Sequence, residues 1–134
     1  MVELTLVFFK PDAERRNLVG LILSRFEDKS LTIKEMKMMT LTAEQADYHY
    51  HEHVEKDFYP NLKQYVMSGP IVAMVLEGRE VISVVRNLIG ATDSVKAAPG
   101  TIRGDFGLLM TENLVHASDS PESAAREIGH FFGS

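Results

Sequence analysis

The stretch IVAMVL, from Ile71 to Leu76, is six apolar residues without a break, closed by Glu77-Gly78. An apolar run of that length between turn residues reads as a buried strand. Directly after it Val81, Val84, Val85 and Leu88 recur at helical spacing as far as Gly90. Toward the N-terminus, Ser68-Gly69-Pro70 would stop a short helix over Asn61–Met67. Thr42 and Gln45 have the spacing of a capping box, which opens a helix expected to reach about His53. Leu31–Met39 is strand-like with imperfect alternation. Leu18, Ile22 and Phe26, with Val19 and Leu21, give an apolar stripe up to about Lys29. Leu4–Phe9 is a second buried strand, ended by Lys10-Pro11-Asp12.

Toward the C-terminus, Ala91 to about Thr111 has no sustained period, only turn residues such as Pro99-Gly100 and Gly104-Asp105. An irregular stretch of that length in a small domain is often functional. Leu114–His116 is a short strand. Ser120-Pro121-Glu122 opens a last helix with a Ser cap, Pro at the first helical position and an acid in the first turn. Ala124, Ile128, Phe131 and Phe132 give that helix its apolar face. Two βαβ units in succession predict an α+β, ferredoxin-like βαββαβ sandwich with additional helices between the second and third strands. The expected sheet is four-stranded and antiparallel, with helices on one face. Length and the absence of a linker predict a single domain over residues 1–134.

A net charge of -5 argues against a nucleic-acid binder built on a basic face. Without cysteine the chain can form neither disulfides nor thiolate metal sites. Met1 to Lys10 does not read as a signal peptide, and no apolar run approaches the roughly 20 residues that span a bilayer. The expectation is a soluble, cytoplasmic protein with no membrane partner.

His116 stands between a strand and a strong helix start, followed by Ala117-Ser118-Asp119-Ser120. A histidine there serves packing or chemistry. Helix N-termini attract anions, and a neutral imidazole beside one is a plausible phosphoryl acceptor. Such a nucleophile needs its second nitrogen held by an acceptor; Glu127, off the apolar stripe of the last helix, could supply it or be merely solvated. Arg103 lies among Gly100, Gly104 and Gly107, where its planar donor fork suits either phosphate oxygens or solvent. Arg86 and Lys10 carry the same two readings. His49, His51 and His53 lack an HExxH arrangement and read as solvated helix residues rather than metal ligands.

Four segments together resemble the nucleoside diphosphate kinase family: FKPDA around Lys10, SGPIVAMVLEG over Ser68–Gly78, GTIRGDFG over Gly100–Gly107 and NLVHASDS over Asn113–Ser120. The last is similar to the family's signature around its phosphorylated histidine, and the four occur in family order across essentially the whole chain. The resemblance implies that His116 accepts the γ-phosphoryl of a nucleoside triphosphate brought with Mg²⁺, then passes it to a nucleoside diphosphate. It further implies phosphate ligands at Lys10, Arg86, Thr92 and Arg103, and a sugar-hydroxyl contact at Asn113 helped by Lys10. Phe58 matches the platform on which the base stacks, and Tyr50 a tyrosine near the active histidine. Ser118 and Glu127 match residues that orient the imidazole or assist the leaving group. The metal is expected on the nucleotide phosphates rather than on protein ligands. Homo-tetramers or homo-hexamers are expected. Ala117, Glu112 and Ser94 depart from the commonest family pattern. A phosphohistidine carrier in signalling, or a non-catalytic nucleotide-binding module, are the alternatives.

Overall fold

The structure is a computed structural model and describes residues 2–133. The elements run β1 (Val2–Phe9), α1 (Pro11–Arg15), α2 (Val19–Asp28), β2 (Thr32–Met39), α3 (Ala43–His49), α4 (Tyr59–Val66), β3 (Ile71–Arg79), α5 (Val81–Ile89), α6 (Ile102–Phe106), β4 (Val115–Ala117) and α7 (Pro121–Phe132). The four strands form one sheet in the order β2-β3-β1-β4, and every neighbouring pair is antiparallel. Each βαβ unit therefore skips a strand. β3 lies between β1 and β2, and β1 lies between β3 and β4, which is the interleaving of the ferredoxin-like fold.

The central strands explain their unbroken apolar runs. Side chains along β1 alternate between two cores: Val7 and Phe9 face one, Leu6 and Phe8 the other, and all four are fully buried. Along β3, Val72, Met74 and Leu76 join the first core, Ile71 and Ala73 the second. Ile22 and Phe26 of α2 and Val81, Val85 and Ile89 of α5 close the first face. The second face is covered by Ala46 of α3, Tyr59 and Val66 of α4 and Phe131 of α7. The expectation of helices on one face is thus corrected. The helices between the second and third strands, together with the last helix, cover the other face, so strands without alternation are buried on both sides.

The capping box forms as expected, with Thr42 accepting from the Gln45 backbone and Gln45 from the Thr42 N–H. The helix it opens stops at His49, four residues short of the expected end. Beyond it the chain tightens into successive i→i+3 turns, His53 N–H to Tyr50 O and Lys56 N–H to His53 O. Two single-turn helices, α1 and α6, carry no periodicity that sequence could show, because five residues do not complete two turns. Thr101, whose hydroxyl accepts from the Gly104 N–H, is the cap signal that marks α6. Gly104 is required there: a Cβ would collide with the Ala98 carbonyl.

Candidate active site

Residue Leu114 has φ 76°, a left-handed conformation that costs a branched, buried side chain on the order of 1–3 kcal/mol. Its carbonyl accepts from the Lys10 N–H at 2.8 Å. The chain thus turns sharply after Asn113 and enters β4 in register with β1, where His116 sits opposite Phe8. The imidazole stacks on the Phe8 ring at 4.9 Å between centroids.

The His116 Nε2 lies 2.9 Å from Glu127 Oε1 on α7, and the same oxygen accepts from the Ser118 hydroxyl at 2.7 Å. Ser118, fully buried, also accepts from the Leu6 N–H. Burial pushes the Glu127 carboxyl up, but the hydrogen bonds and charge around it outweigh this and hold it below the usual range. Burial likewise lowers His116, against the opposing pull of Glu127. At neutral pH the pair is therefore a carboxylate and a neutral imidazole. A carboxylate can only accept, so Nε2 carries the proton and Nδ1 keeps the lone pair. That is the tautomer a nucleophilic histidine needs.

A second network lies beside it. The Lys10 ammonium donates to Asn113 Oδ1 at 2.8 Å, and Asn113 Nδ2 donates to the Thr92 carbonyl at 2.9 Å. Burial first, then the nearby Arg103 charge, lowers Lys10 to about 7. Arg103 donates through Nε to Asn113 O, through Nη1 to Gly90 O and through Nη2 to Val115 O. Three of its five N–H groups hold the irregular segment and β4 together, leaving two. Arg86 reaches the Ala117 carbonyl at 3.1 Å. Ala117 is not among the positive-φ residues, so its methyl, where glycine is commoner in the family, meets no left-handed backbone strain.

A cavity of about 240 Å³ opens on this face, lined by His116, Glu127, Arg86, Tyr50, His49 and Asp119 among others. Burial raises the Tyr50 phenol, whose buried hydroxyl has no protein partner and stays protonated. Phe58 precedes α4, 52% exposed and outside that lining, its ring 5.5 Å from His53. The structure thus joins His116, Ser118 and Glu127 in one network and Lys10, Thr92, Arg103 and Asn113 in another. Arg86 and Tyr50 lie on the cavity wall, and Phe58 stands free at its side.

His49 contradicts the expected solvated role. It is 4% exposed, edge-on to the His116 ring at 4.4 Å and to Phe8 at 5.1 Å. The early end of α3 turns it inward, separating it from His51, which stays half exposed.

The family model for nucleoside diphosphate kinases matches residues 3–134. The chain belongs to that family. A nucleoside diphosphate kinase of Nocardioides sp. is 64% identical over 128 residues, spanning 96% of this chain and 95% of the relative. One of Rubrobacter xylanophilus is 56% identical over 98% of this chain and 99% of its own length. The solved Aquifex aeolicus nucleoside diphosphate kinase superposes with a TM-score of 0.95 at 46% identity, over 98% of this chain and 96% of that one. A Halobacterium salinarum nucleoside diphosphate kinase solved in complex with CDP gives 0.97 at 44% identity, over 100% and 90%. The fold is the family's ferredoxin-like α+β fold, and the chain is a nucleoside-diphosphate kinase, a phosphotransferase acting between nucleotides.

Proposed function

We propose that the transfer runs through His116, whose Nδ1 attacks the γ-phosphorus of a nucleoside triphosphate. The bond to the bridging oxygen breaks, the diphosphate leaves, and a nucleoside diphosphate then takes the phosphoryl from Nδ1. The carrying observation is the hydrogen bond from Nε2 to Glu127 Oε1, which directs the lone pair to Nδ1. Glu127 also offsets positive charge on the imidazole once nitrogen bonds to phosphorus. A signalling carrier has no use for the Lys10–Asn113–Thr92 network, nor a binding module for an anchored neutral imidazole, so neither alternative is favoured.

In this reading Lys10, Arg86, Arg103 and Thr92 hold phosphate oxygens, Asn113 and Lys10 the sugar hydroxyls, and Tyr50 supplies a hydroxyl beside His116. Phe58, exposed and aromatic, stacks on whichever base arrives, and π-stacking tolerates them all. Mg²⁺ favours oxygen ligands and keeps several waters while riding on substrate phosphates. Asp119 and Ser123 place oxygen donors on the cavity wall, which fits a metal delivered with the nucleotide and held mainly by it. Bound there, it would neutralise phosphate charge.

Residues 1–134 are read as one cytoplasmic domain that forms homo-tetramers or homo-hexamers. The edge strand β2 supports self-association, with Met36 and Met38 exposed at 43% and 61%. No described helix is long and apolar enough to cross a membrane.

One site serving donor and acceptor in turn requires ping-pong kinetics. Initial rates with varied ATP and dCDP should give parallel double-reciprocal lines. Intersecting lines would mean direct transfer in a ternary complex.

Lys10 carries a pH signature. A buried lysine near 7 is largely neutral at pH 8.5, and a phosphate dianion against it restores the charge. Nucleotide binding at pH 8.5 should take up close to one proton, read as the dependence of calorimetric enthalpy on buffer ionisation. Lys10→Met should abolish the uptake. The same depression makes folding stability rise with pH from about 7 toward 10.5, since the unfolded chain binds the extra proton there. An uptake of zero would remove Lys10 from the phosphate contacts.

A further inference from the structure

His49, His116 and Glu127 each bring one ligand atom within 4.8 Å of the other two. The rest of the molecule uses His116 and Glu127 as a pair, but His49 has no assigned part. Its ring is buried against the active histidine, and its Nδ1 has no hydrogen-bond partner. An unpartnered buried nitrogen costs free energy that a ligand would return. Two imidazoles and a carboxylate are the donor set of an open, three-ligand zinc site, with a fourth position for water.

We propose that these three side chains form an inhibitory site for a divalent transition metal of the zinc type, separate from the Mg²⁺ that accompanies the nucleotide. The three groups need little rearrangement. Zn²⁺ bonds of about 2.0–2.2 Å place tetrahedral ligands roughly 3.5 Å apart, so side chains within 4.8 Å must close by roughly 1 Å. His116 Nε2 and Glu127 Oε1, now hydrogen-bonded at 2.9 Å, need part by only about 0.5 Å to stand as two ligands on one metal. Burial keeps both imidazoles in the neutral form that binds metal. Imidazole suits zinc, whereas Mg²⁺ prefers oxygen, so the enzyme's own metal does not compete here.

The consequence rests on the proposed role of His116. A metal on Nε2 takes the lone pair of that nitrogen, and the imidazole proton moves to Nδ1. The proton count of the ring is unchanged, but Nδ1 loses the pair that attacks phosphorus. The metal thus silences the nucleophile through its tautomer.

The test is equilibrium dialysis of chelator-treated protein against ZnCl₂ without nucleotide, beside His49→Gln and His51→Gln. One Zn²⁺ should bind per chain, weakened at least tenfold by His49→Gln and unchanged by His51→Gln, whose ring is half exposed. Co²⁺ in the unsubstituted protein should give the intense visible bands of a four- or five-coordinate site, and this readout does not depend on any variant folding. Zinc binding indifferent to His49→Gln, or a Co²⁺ spectrum no stronger than that of the aquo ion, would overturn the site. Phosphorylation of the chelator-treated protein by ATP·Mg²⁺ checks the His116 reading separately, so the two can fail independently.

Discussion

Replacing His116 by alanine is expected to lower nucleotide exchange on the order of 10⁴-fold or more, the scale seen when a covalent nucleophile is removed. No other group can take its place. His49, the nearest imidazole, has its Nδ1 buried and is not aimed by a carboxylate. The fold should persist, because β4 is held through backbone pairing with β1 and through Arg103 rather than through the imidazole. Glu127 keeps the Ser118 hydroxyl as a donor after the ring is gone. Thermal unfolding should therefore fall by no more than about 5 °C. A variant that melts like the unsubstituted protein and still exchanges at a substantial rate would remove His116 from the chemistry.

Arg103→Ala should produce the largest loss of stability at the site. The guanidinium donates to the carbonyls of Gly90, Asn113 and Val115, tying the irregular segment to both the end of α5 and the start of β4. Burial lowers its pKa to about 10, so it stays charged across the physiological range. Deleting it leaves the Gly90 and Val115 carbonyls short of a donor, at about 1–3 kcal/mol for each one that water cannot reach, while Asn113 O keeps the Val115 N–H at 2.9 Å. A total near 3 kcal/mol corresponds to a fall of roughly 10–15 °C in melting temperature. Exchange activity should fall as well, since Asn113 and the turn at Leu114 lose their support. Arg103→Lys keeps the charge but not the three-way fork, and should recover only part of the stability. A melting temperature within about 2 °C of the unsubstituted protein would show that the carbonyl contacts carry no weight.

Sequence and structure agree where burial is simple. The run Ile71–Leu76 is a central strand because it faces two cores at once, and its continuous apolar character is the direct record of that. Caps such as Thr42 and Ser120 are legible because each is marked within three or four residues, Thr42 by Gln45 and Ser120 by Pro121 and Glu122. What escaped depends on contacts between distant segments. His49 reads as a helix surface residue until α7 and β1 are brought over it. Arg103 reads as a cation for either phosphate or solvent, and only the fold reveals that backbone carbonyls from three residues converge on it. Its role in holding the site and any role in holding phosphate share one side chain. The residue roles implied by the resemblance were beyond the reach of periodicity, as were the hydrogen bonds that link Lys10 through Asn113 to the Thr92 carbonyl.

The most direct test of the account is to mix the protein with radiolabelled ATP·Mg²⁺ alone and map the label by peptide analysis. One phosphoryl per chain should appear on His116, stable in base and labile in acid, and GDP or dCDP should discharge it into the corresponding triphosphate. Label found on another residue, or exchange proceeding with no phosphorylated protein formed, would contradict transfer through His116.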